Sequence, residues 1–468
     1  MFNESTFRRF VEKNPHHHLP FYARPHGSRR DFFRLLGAGV TGSYLASYSL
    51  EAQVVKSQSV QTKNTAKNVI FILLAGAPSH VDTFDLKMTN GITPGAFNPT
   101  DVKGVAWNTG VFPKLAGQFD DIALVRSARA WAAQHTLSQT WVQIGRSPAA
   151  VLGDVAPNMG AIVSIEKRAE RAAGQIFPTF LALNSDAAIG AGYLPATYEP
   201  FKMAPNAAGL PNTTNPDGAT RLEAKYTLLQ GLDNPLRVNS PYGDPMTDFG
   251  AFYQAARGLM YNAAVDKAFK FTAADSARYG TTAFGNALLT AKQVLEANMG
   301  TRYIQVSLGG WDMHNNIYTN PPQAGQNSIF TLGKVVDDAL STLIADMKSN
   351  GQLNETLIVM MGEFGRTVGQ LSATSGRDHY LQQFVFFAGG GVKGGRAIGS
   401  TDPTGARTEE FGWSGDRDVR VEDVEATIYS ALGINWTNIR YDDPFGRGFE
   451  YVPFANEGLY KPIHELWV

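Results

Sequence analysis

Residues 68–74 read Asn68-Val-Ile-Phe-Ile-Leu-Leu74, an uninterrupted apolar run that ends at Ala75-Gly76-Ala77-Pro78. A strand with one face in water alternates apolar and polar residues, so this run predicts a strand buried on both faces, as in a parallel sheet covered by helices. Four further apolar runs predict strands of the same sheet. They are Ile122–Val125, Tyr303–Leu308, Thr356–Met361 and Gln383–Ala388.

The connections between these runs indicate an α/β fold. Leu332–Lys348 carries apolar residues at a spacing of three and four, which predicts an amphipathic helix between two of the strands. Strand, helix and strand in this order form a right-handed crossover unit. We therefore expect a mostly parallel central sheet sandwiched by helices, in a single domain over residues 68–468.

One region departs from this pattern. Leu194–Thr220 is rich in Pro, Asn, Gly and Thr, and two helical segments follow it, Leu222–Leu232 and Asp248–Lys270. This composition predicts an inserted cap over about residues 195–280. The stretch after Trp436 is rich in Gly, Pro and aromatic residues and is expected to wrap the surface.

The composition excludes several classes of protein. The 468 residues include 41 Lys and Arg against 42 Asp and Glu, a net charge of −1, so the basic excess typical of nucleic-acid-binding proteins is absent. With 43% hydrophobic and 18% charged residues, the chain is expected to fold. It has no Cys, which excludes thiolate metal sites, disulfides and Cys nucleophiles.

The first 52 residues resemble an export signal. Ser28-Arg29-Arg30-Asp31-Phe32-Phe33 precedes an apolar stretch, Leu35–Leu45, that is too short to span a bilayer. This is typical of a bacterial twin-arginine signal, with cleavage after Ala52 and a linker over residues 53–67. We expect the export machinery as a partner, no stable membrane span, and a periplasmic or extracellular location. The alternative is an ordinary basic amphipathic helix.

Histidines and carboxylates follow the predicted strands. Four of the nine His belong to the predicted signal, and four of the other five lie near a strand end or a helix start. Because ligands bind at the carboxyl edge of open α/β sheets, these side chains are candidates for one site. The candidate metal ligands are His80, Asp82, Asp312, His314, Glu363, Asp378 and His379.

Imidazole and carboxylate donors without thiolates favour one or two divalent metal ions such as Zn, Mn, Ca or Mg. The alternative is that these residues form buried His–carboxylate pairs that fix loops. Arg366 and Arg377 are candidates to clamp the oxygens of an anion, or else to brace their loops through ion pairs. Trp311 and Tyr380 either line the substrate entrance or pack in the core.

Several motifs, taken in order, resemble a known family. They are Gly76-Ala-Pro-Ser-His-Val-Asp-Thr-Phe-Asp85, Gly310-Trp-Asp-Met-His314, Gly362-Glu-Phe-Gly-Arg-Thr367 and Gly376-Arg-Asp-His379. Together they are similar to the exported family called domain of unknown function 1501, over about Asn68–Pro453. The helix–strand unit that ends at Glu363 also resembles the alkaline phosphatase and sulfatase superfamily.

The resemblance to this superfamily implies metals at the strand ends, with Glu363 where its members carry a ligand Asp. It also implies a nucleophile ten residues before Gly145, and that position is His135. Without Cys or Ser there, the formylglycine of sulfatases is impossible. His135 as a nucleophile or ligand, the hydroxyl of Thr136 or Ser138, and a metal-activated hydroxide are the open alternatives.

The resemblance implies a metal-dependent hydrolase that acts on a phosphate- or sulfate-ester-like anionic substrate, with phosphatase or phosphodiesterase activity favoured over sulfatase activity. In this interpretation His135, Thr136 and Arg366 are catalytic, and Arg377 and Trp311 contact the substrate. The alternative is a non-catalytic exported protein that binds a metal or another ligand on the same fold.

Overall fold

The structure is a computed structural model that describes residues 55–237, 244–321 and 326–468. The chain divides into two units, residues 1–56 and 57–468. The predicted export signal lies outside the described residues. The account that follows concerns the second unit.

An eight-stranded sheet forms the centre of this unit. Its strands are β1 Asn68–Leu74, β2 Ile122–Arg129, β3 Phe180–Leu183, β4 Phe201–Met203, β5 Tyr303–Leu308, β6 Thr356–Met361, β7 Gln382–Gly389 and β8 Arg396–Ile398. Their spatial order is β8-β2-β7-β6-β1-β5-β3-β4. Every neighbouring pair is parallel except the two that involve β7, which runs antiparallel to both β2 and β6.

Both faces of this sheet are covered, as the apolar runs predict. In β1, Ile70 and Ile72 face one apolar core and Val69 and Phe71 face the other, and all four side chains are fully buried. The helices are α1 Pro113–Ala116, α2 His135–Ile144, α3 Met159–Glu166, α4 Ala219–Arg237, α5 Asp244–Leu259, α6 Ala263–Phe269, α7 Ala273–Arg278, α8 Ala283–Ala297, α9 Ile329–Ser349, α10 Gln352–Glu355 and α11 Val421–Ala431.

Helices of opposite layers contribute to the two cores. Helices α8 and α9 pack on the face of Ile70, whereas α3 and α11 pack on the face of Val69. The predicted α/β class, with a mostly parallel sheet between helices, is confirmed. The predicted Leu332–Lys348 helix is α9, which begins after Ser328, whose side-chain oxygen accepts from the backbone N–H of Thr331.

The predicted cap region is largely helical from Ala219 onward, but it also contains β4, a strand of the central sheet, and its helices differ from the prediction at one point. The segment expected to form one helix over Asp248–Lys270 is divided between α5 and α6. Asn262 separates the two helices because its side chain accepts a hydrogen bond from the backbone N–H of Ala264 and so caps α6. The boundaries proposed for the insertion stay a prediction.

Short strands complete the structure. In the first unit, Val55–Lys56 form a two-residue strand, and the remaining short strands belong to the second unit. The antiparallel pairs are Pro99–Val102 with Val105–Asn108, Gly365–Arg366 with His379–Tyr380, Ser400–Thr401 with Thr408–Glu410, and Ile439–Arg440 with Phe449–Glu450. The C-terminal stretch is part of the packing, since Tyr451, Ile463 and Leu466 are fully buried. Among the described residues, no helix combines the length and the apolar character needed to cross a membrane.

One buried acid in α11 gives the fold a pH dependence. Burial raises the pKa of Glu425 from its ordinary value of 4.5 to about 8, and the carboxyl accepts a hydrogen bond of 2.9 Å from the Tyr429 hydroxyl. The folded state therefore holds a proton that the unfolded chain loses above pH 4.5. The stability tied to this proton is complete below pH 4.5 and is lost as the pH rises through 8.

We expect Glu425→Gln, which imitates the protonated acid, to remove this dependence. The unfolding free energy of the unsubstituted chain should fall by roughly 2–4 kcal/mol between pH 5 and pH 9 because of this group. The variant should lack this fall. Urea unfolding at the two pH values measures the difference. An equal loss of stability in both proteins over this range would contradict the assignment.

Candidate metal centre

Four side chains converge at the carboxyl edge of the central sheet. Each offers one ligand atom, and these atoms all lie within 4.8 Å of one another. Two of the side chains follow β5, one begins α2 after β2, and one directly precedes β7. We call this group the four-residue cluster: His135, Asp312, His314 and His379.

The antiparallel direction of β7 explains why a residue before a strand joins residues that follow strands. Because β7 runs against β2 and β6, its amino end lies at the edge where the parallel strands have their carboxyl ends. His379 precedes that amino end. It is also paired with Arg366 in a short antiparallel ribbon, which places both residues beside the end of β6.

The three imidazoles of the cluster are oriented in the same way. The Nδ1 atom of each lies within hydrogen-bond distance of an oxygen: Glu363 Oε1 at 2.7 Å from His135, Asp378 Oδ1 at 2.9 Å from His314, and the Ala133 carbonyl at 2.8 Å from His379. A carbonyl or a carboxylate requires a donor, so Nδ1 carries the hydrogen in each ring. Each Nε2 atom is then left with a lone pair, as in histidines that bind metals.

These lone pairs face one another and a carboxylate. The Nε2 atoms of His314 and His379 are 3.2 Å apart, and Asp312 Oδ1 lies 2.8 Å from the first and 3.8 Å from the second. Asp312 Oδ1 also lies 3.2 Å from His135 Nε2, a buried atom without a hydrogen-bond partner. Such an arrangement is repulsive unless a proton or a cation lies between the atoms.

The spacing fits a metal ion. Donor atoms about 2.1 Å from one tetrahedral cation lie about 3.4 Å from each other, close to the separations found here. Three imidazole nitrogens and one carboxylate oxygen form a donor set typical of Zn²⁺ and of other borderline transition metals. The residues present therefore fit a single ion, and a tetrahedral ion bound by three of the four donors would keep its fourth position for a water or a substrate oxygen.

Hydrogen bonds, burial and neighbouring charges shift the pKa values of the cluster residues in different directions. The hydrogen bond to Glu363 raises the pKa of His135, whereas burial lowers the pKa of His379. Burial raises the pKa of the Asp312 carboxyl, but the hydrogen bond and charge of Arg366 together with the charges of His135 and His314 outweigh this effect, so the pKa is lowered. The anionic form of Asp312 is the form that binds a metal.

Glu363 lies beside the four-residue cluster and holds one of its members. Its Oε1 atom accepts hydrogen bonds from Gln139 Nε2 at 2.9 Å and from the Gly76 N–H at 3.0 Å, besides its contact with His135. Gly76 has a φ of +106°, and a Cβ there would lie 2.5 Å from the Asp312 nitrogen. The close approach of these loops therefore requires glycine at this position. The structure places Glu363 as a support of His135, although the resemblance implied a ligand.

His80 and Asp82 belong to a different part of the protein. Both are fully buried, and His80 Nε2 lies 2.8 Å from the Gly405 carbonyl oxygen. Asp82 pairs with Arg377 Nε at 2.7 Å and accepts from the Tyr318 hydroxyl at 2.6 Å. We call Asp82, Arg377 and Tyr318 the buried ion-pair network. The structure does not bring these predicted ligands into the four-residue cluster.

The other candidates are distributed as follows. Arg377 is 1% exposed and also donates to the Thr367 carbonyl, so its guanidinium braces a loop and is not open to a substrate. Trp311 is 1% exposed and packs in a core. Asp378 is exposed and contacts His314, and Thr136 is exposed one residue after the start of α2. The metal and catalytic roles of these residues stay predictions.

Two contributors were not apparent in the sequence. Gln139 lies one turn after His135 on α2 and donates to Glu363, a contact that its spacing from His135 permits on one helix face. The carbonyl of Ala133 orients His379. A backbone carbonyl leaves no signal in the sequence.

Residues 66–453 match the family described as "Protein of unknown function (DUF1501)". The match spans most of the chain. The chain belongs to this family. Among curated proteins, no sequence matches this member of the family.

Solved structures show a distant likeness to this DUF1501 protein. The PsFucS1 sulfatase from Pseudoalteromonas sp. is 14% identical with a TM-score of 0.38, over 83% of this chain and 70% of that chain. A protein in the alkaline phosphatase superfamily from Vibrio parahaemolyticus is 11% identical with a TM-score of 0.35, over 81% and 69%.

A third structure is the C-terminal periplasmic domain of EcEptC from Escherichia coli in complex with Zn. It is 10% identical with a TM-score of 0.36, over 81% of this chain and 85% of that chain. Because these identities and TM-scores are low, the fold class of the DUF1501 protein is assigned from its own strand order.

The cluster predicts how metal affinity depends on its residues. We expect His135→Ala and His314→Ala to lower the affinity for Zn²⁺ by more than about 100-fold, because each variant removes a donor atom. Glu363→Gln should lower it by about 10–100-fold through the lost orientation of His135. Competition with a chromophoric chelator measures these affinities. His464→Ala is the control, since His464 lies in a C-terminal turn outside the cluster, and equal affinities in all variants would exclude the site.

The buried ion-pair network predicts a separate effect on stability. Asp82→Asn removes the charge that compensates the buried guanidinium of Arg377, and should cost about 3 kcal/mol of unfolding free energy. Urea unfolding measures this loss, and chelator competition should give an unchanged Zn²⁺ affinity for the folded variant. Loss of metal affinity without loss of stability would instead assign Asp82 to the metal site.

Proposed function

We propose that this protein is a metal-dependent hydrolase of phosphate- or sulfate-ester-like anionic substrates. The observation that carries the proposal is the convergence of three imidazole Nε2 atoms and Asp312 Oδ1 at the carboxyl edge of the parallel sheet. This edge is where α/β proteins bind ligands and carry out chemistry. Three nitrogen donors favour Zn²⁺ or Mn²⁺ over Ca²⁺ or Mg²⁺.

The site is accessible to a small substrate. Asp312 and Asp378 have 47% and 70% of their side chains exposed, so one side of the cluster opens to solvent. The opposite side is apolar, because the fully buried ring of Phe364 lies 4.8 Å from the rings of both His135 and His379. A small substrate can therefore reach the cluster from its solvent-exposed side, while Phe364 packs against the rings of His135 and His379 on the other.

Some residues of the site orient the imidazoles, and others offer the donor atoms. Glu363, Asp378 and the Ala133 carbonyl fix the three imidazoles, so the donor set is formed before a ligand arrives. A divalent ion held by His135, His314, His379 and Asp312 would supply Lewis acidity and would make a water molecule a stronger nucleophile near neutral pH. His135 contributes a donor atom in this arrangement, which leaves a water molecule or the exposed Thr136 hydroxyl to attack the ester.

The family and the motifs support a place in the alkaline phosphatase and sulfatase superfamily, and this placement is part of the proposal. Phosphatase or phosphodiesterase activity is favoured over sulfatase activity, since the chain has no Cys and has His at the expected nucleophile position. We propose further that residues 1–52 direct export by the twin-arginine route to the periplasm or the exterior.

A substrate panel tests the hydrolase proposal. The chelator-treated protein is reloaded with Zn²⁺, Mn²⁺, Mg²⁺ or Ca²⁺ and assayed on aryl phosphate monoester, phosphate diester and sulfate ester substrates. We expect hydrolysis of a phosphate ester with Zn²⁺ or Mn²⁺, and a loss of at least about 100-fold in His314→Ala, with His464→Ala unaffected. Metal-loaded protein that is inert on every substrate would favour the non-catalytic binding protein.

Replacement of Thr136 distinguishes the two attacking groups. Thr136→Val keeps the shape of the side chain and removes the hydroxyl. If water attacks, the kcat of the variant should stay within about threefold of the unsubstituted enzyme. If Thr136 is the nucleophile, kcat should fall by about 1000-fold or more, and the burst of product in the first turnover should disappear.

A further inference from the structure

The guanidinium of Arg366 is held rigidly next to the four-residue cluster. Arg366 is 1% exposed, and its Nε atom donates to the Ala77 carbonyl at 2.9 Å. Nη1 donates to the Arg377 carbonyl at 3.1 Å, and Nη2 donates to the carbonyl of Gly76. Three of its five N–H donors are therefore used by backbone carbonyls of two loops, which fix the position of the positive charge.

The remaining two donors point at the ligand atoms of the cluster. Nη2 donates to Asp312 Oδ1 at 2.6 Å, and Nη1 lies 3.2 Å from His314 Nε2. All five donors are then occupied, and Arg366 has none left for a substrate oxygen. In this state the arginine does not act as an anion clamp.

Metal binding would change the hydrogen bonding of Arg366 at one atom, His314 Nε2. His314 Nδ1 contacts Asp378, so Nε2 has a single lone pair in the plane of the ring. That lone pair accepts from Arg366 or binds a metal ion, but it cannot do both. A cation bound by His314 therefore takes the acceptor of one Nη1–H, which then points into the site without a partner.

The two buried carboxylates on either side of these loops, Glu363 and Asp82, already accept several hydrogen bonds each, and one group of candidate metal ligands is found among the described residues. The oxygens of Glu363 accept from His135, Gln139 and the Gly76 N–H. Those of Asp82 are used by Arg377 and by the Tyr318 hydroxyl. The guanidinium of Arg366 supplies a fixed positive charge beside the single set of four donors.

We propose that the site binds one divalent cation, that Arg366 takes the place of a second cation, and that the first cation frees an Arg366 N–H to bind a substrate oxyanion. This inference rests on the proposed function and specifies its binding order. The metal binds first and the anion second. One oxygen of the bound oxyanion would then accept a hydrogen bond from Arg366 Nη1.

Binding measurements on the whole chain test this order. Metal content per chain is measured after reloading and removal of free Zn²⁺, and the probe is labelled inorganic phosphate in equilibrium dialysis. We expect one Zn²⁺ per chain, and phosphate binding at least 10-fold tighter to the loaded than to the metal-free protein. Two ions per chain, or equal phosphate affinity with and without metal, would overturn the proposal.

Two substitutions of Arg366 identify the group that the phosphate contacts. Arg366→Met should keep one Zn²⁺ and bind phosphate at least 10-fold more weakly in the loaded state. Arg407→Met is the matched control, because Arg407 is exposed and pairs with Asp402, and it should bind phosphate as the unsubstituted chain does. Unchanged phosphate binding in loaded Arg366→Met would contradict the inference.

Arg366→Lys provides the measurement if Arg366→Met fails to fold. Lysine keeps the charge and can reach one carbonyl but lacks the fork of donors, so phosphate binding should be intermediate between the other two proteins. If the metal-loaded Arg366→Lys variant bound phosphate as tightly as the unsubstituted chain, the role of the freed Nη1–H would be contradicted.

The outcomes also separate this inference from the proposed function. One ion per chain with metal-dependent phosphate binding but no hydrolysis leaves the inference standing and removes the hydrolase. Hydrolysis by a protein that holds two ions per chain would contradict the inference and support the hydrolase.

Discussion

The parallel pairing of β1 with β5 and β6 is the constraint on which the site depends. In this register Val69 lies opposite both Tyr303 and Leu357, so the three strands end at the same level. Their following loops carry Gly76, then Asp312 and His314, then Glu363 and Arg366. Because the strands are buried on both faces, a shift of one residue would move side chains of different shape into the other core and disrupt the close packing of both. The level of the loops is thus fixed by the two cores.

A second layer of contacts converts this common level into a defined site. Three acceptors hold the Nδ1 atoms of the cluster histidines, and only one of the acceptors is a carboxylate with full burial, Glu363. Arg366 ties the loops after β1 and β6 to the same ligand atoms. A donor set that is held in this way needs little rearrangement on binding, so more of the intrinsic binding free energy is retained as affinity.

The sequence predicted the fold well and the site in part, for identifiable reasons. Apolar runs report burial, so β1, β5 and β6 were found from their composition alone. The direction of β7 has no such signal, although it decides why His379 can join the site. His80 follows β1 as closely as His314 follows β5, and Asp82 comes two residues later, yet both turn into the interior, where Gly405 and Arg377 hold them. Distance along the chain after a strand does not give the direction in which a loop turns.

By itself, the sequence determined the α/β class, the donor types available to a metal and the exclusion of thiol chemistry, because these follow from composition and apolar periodicity. Only the tertiary structure decided which donors meet. Glu363 contacts the cluster only through His135, whose other ring nitrogen faces Asp312. Arg366 contacts Asp312 and His314 because the loops that carry them approach each other closely beside Gly76. Such contacts join residues far apart in the chain, and their geometry is set by packing, which no local pattern encodes.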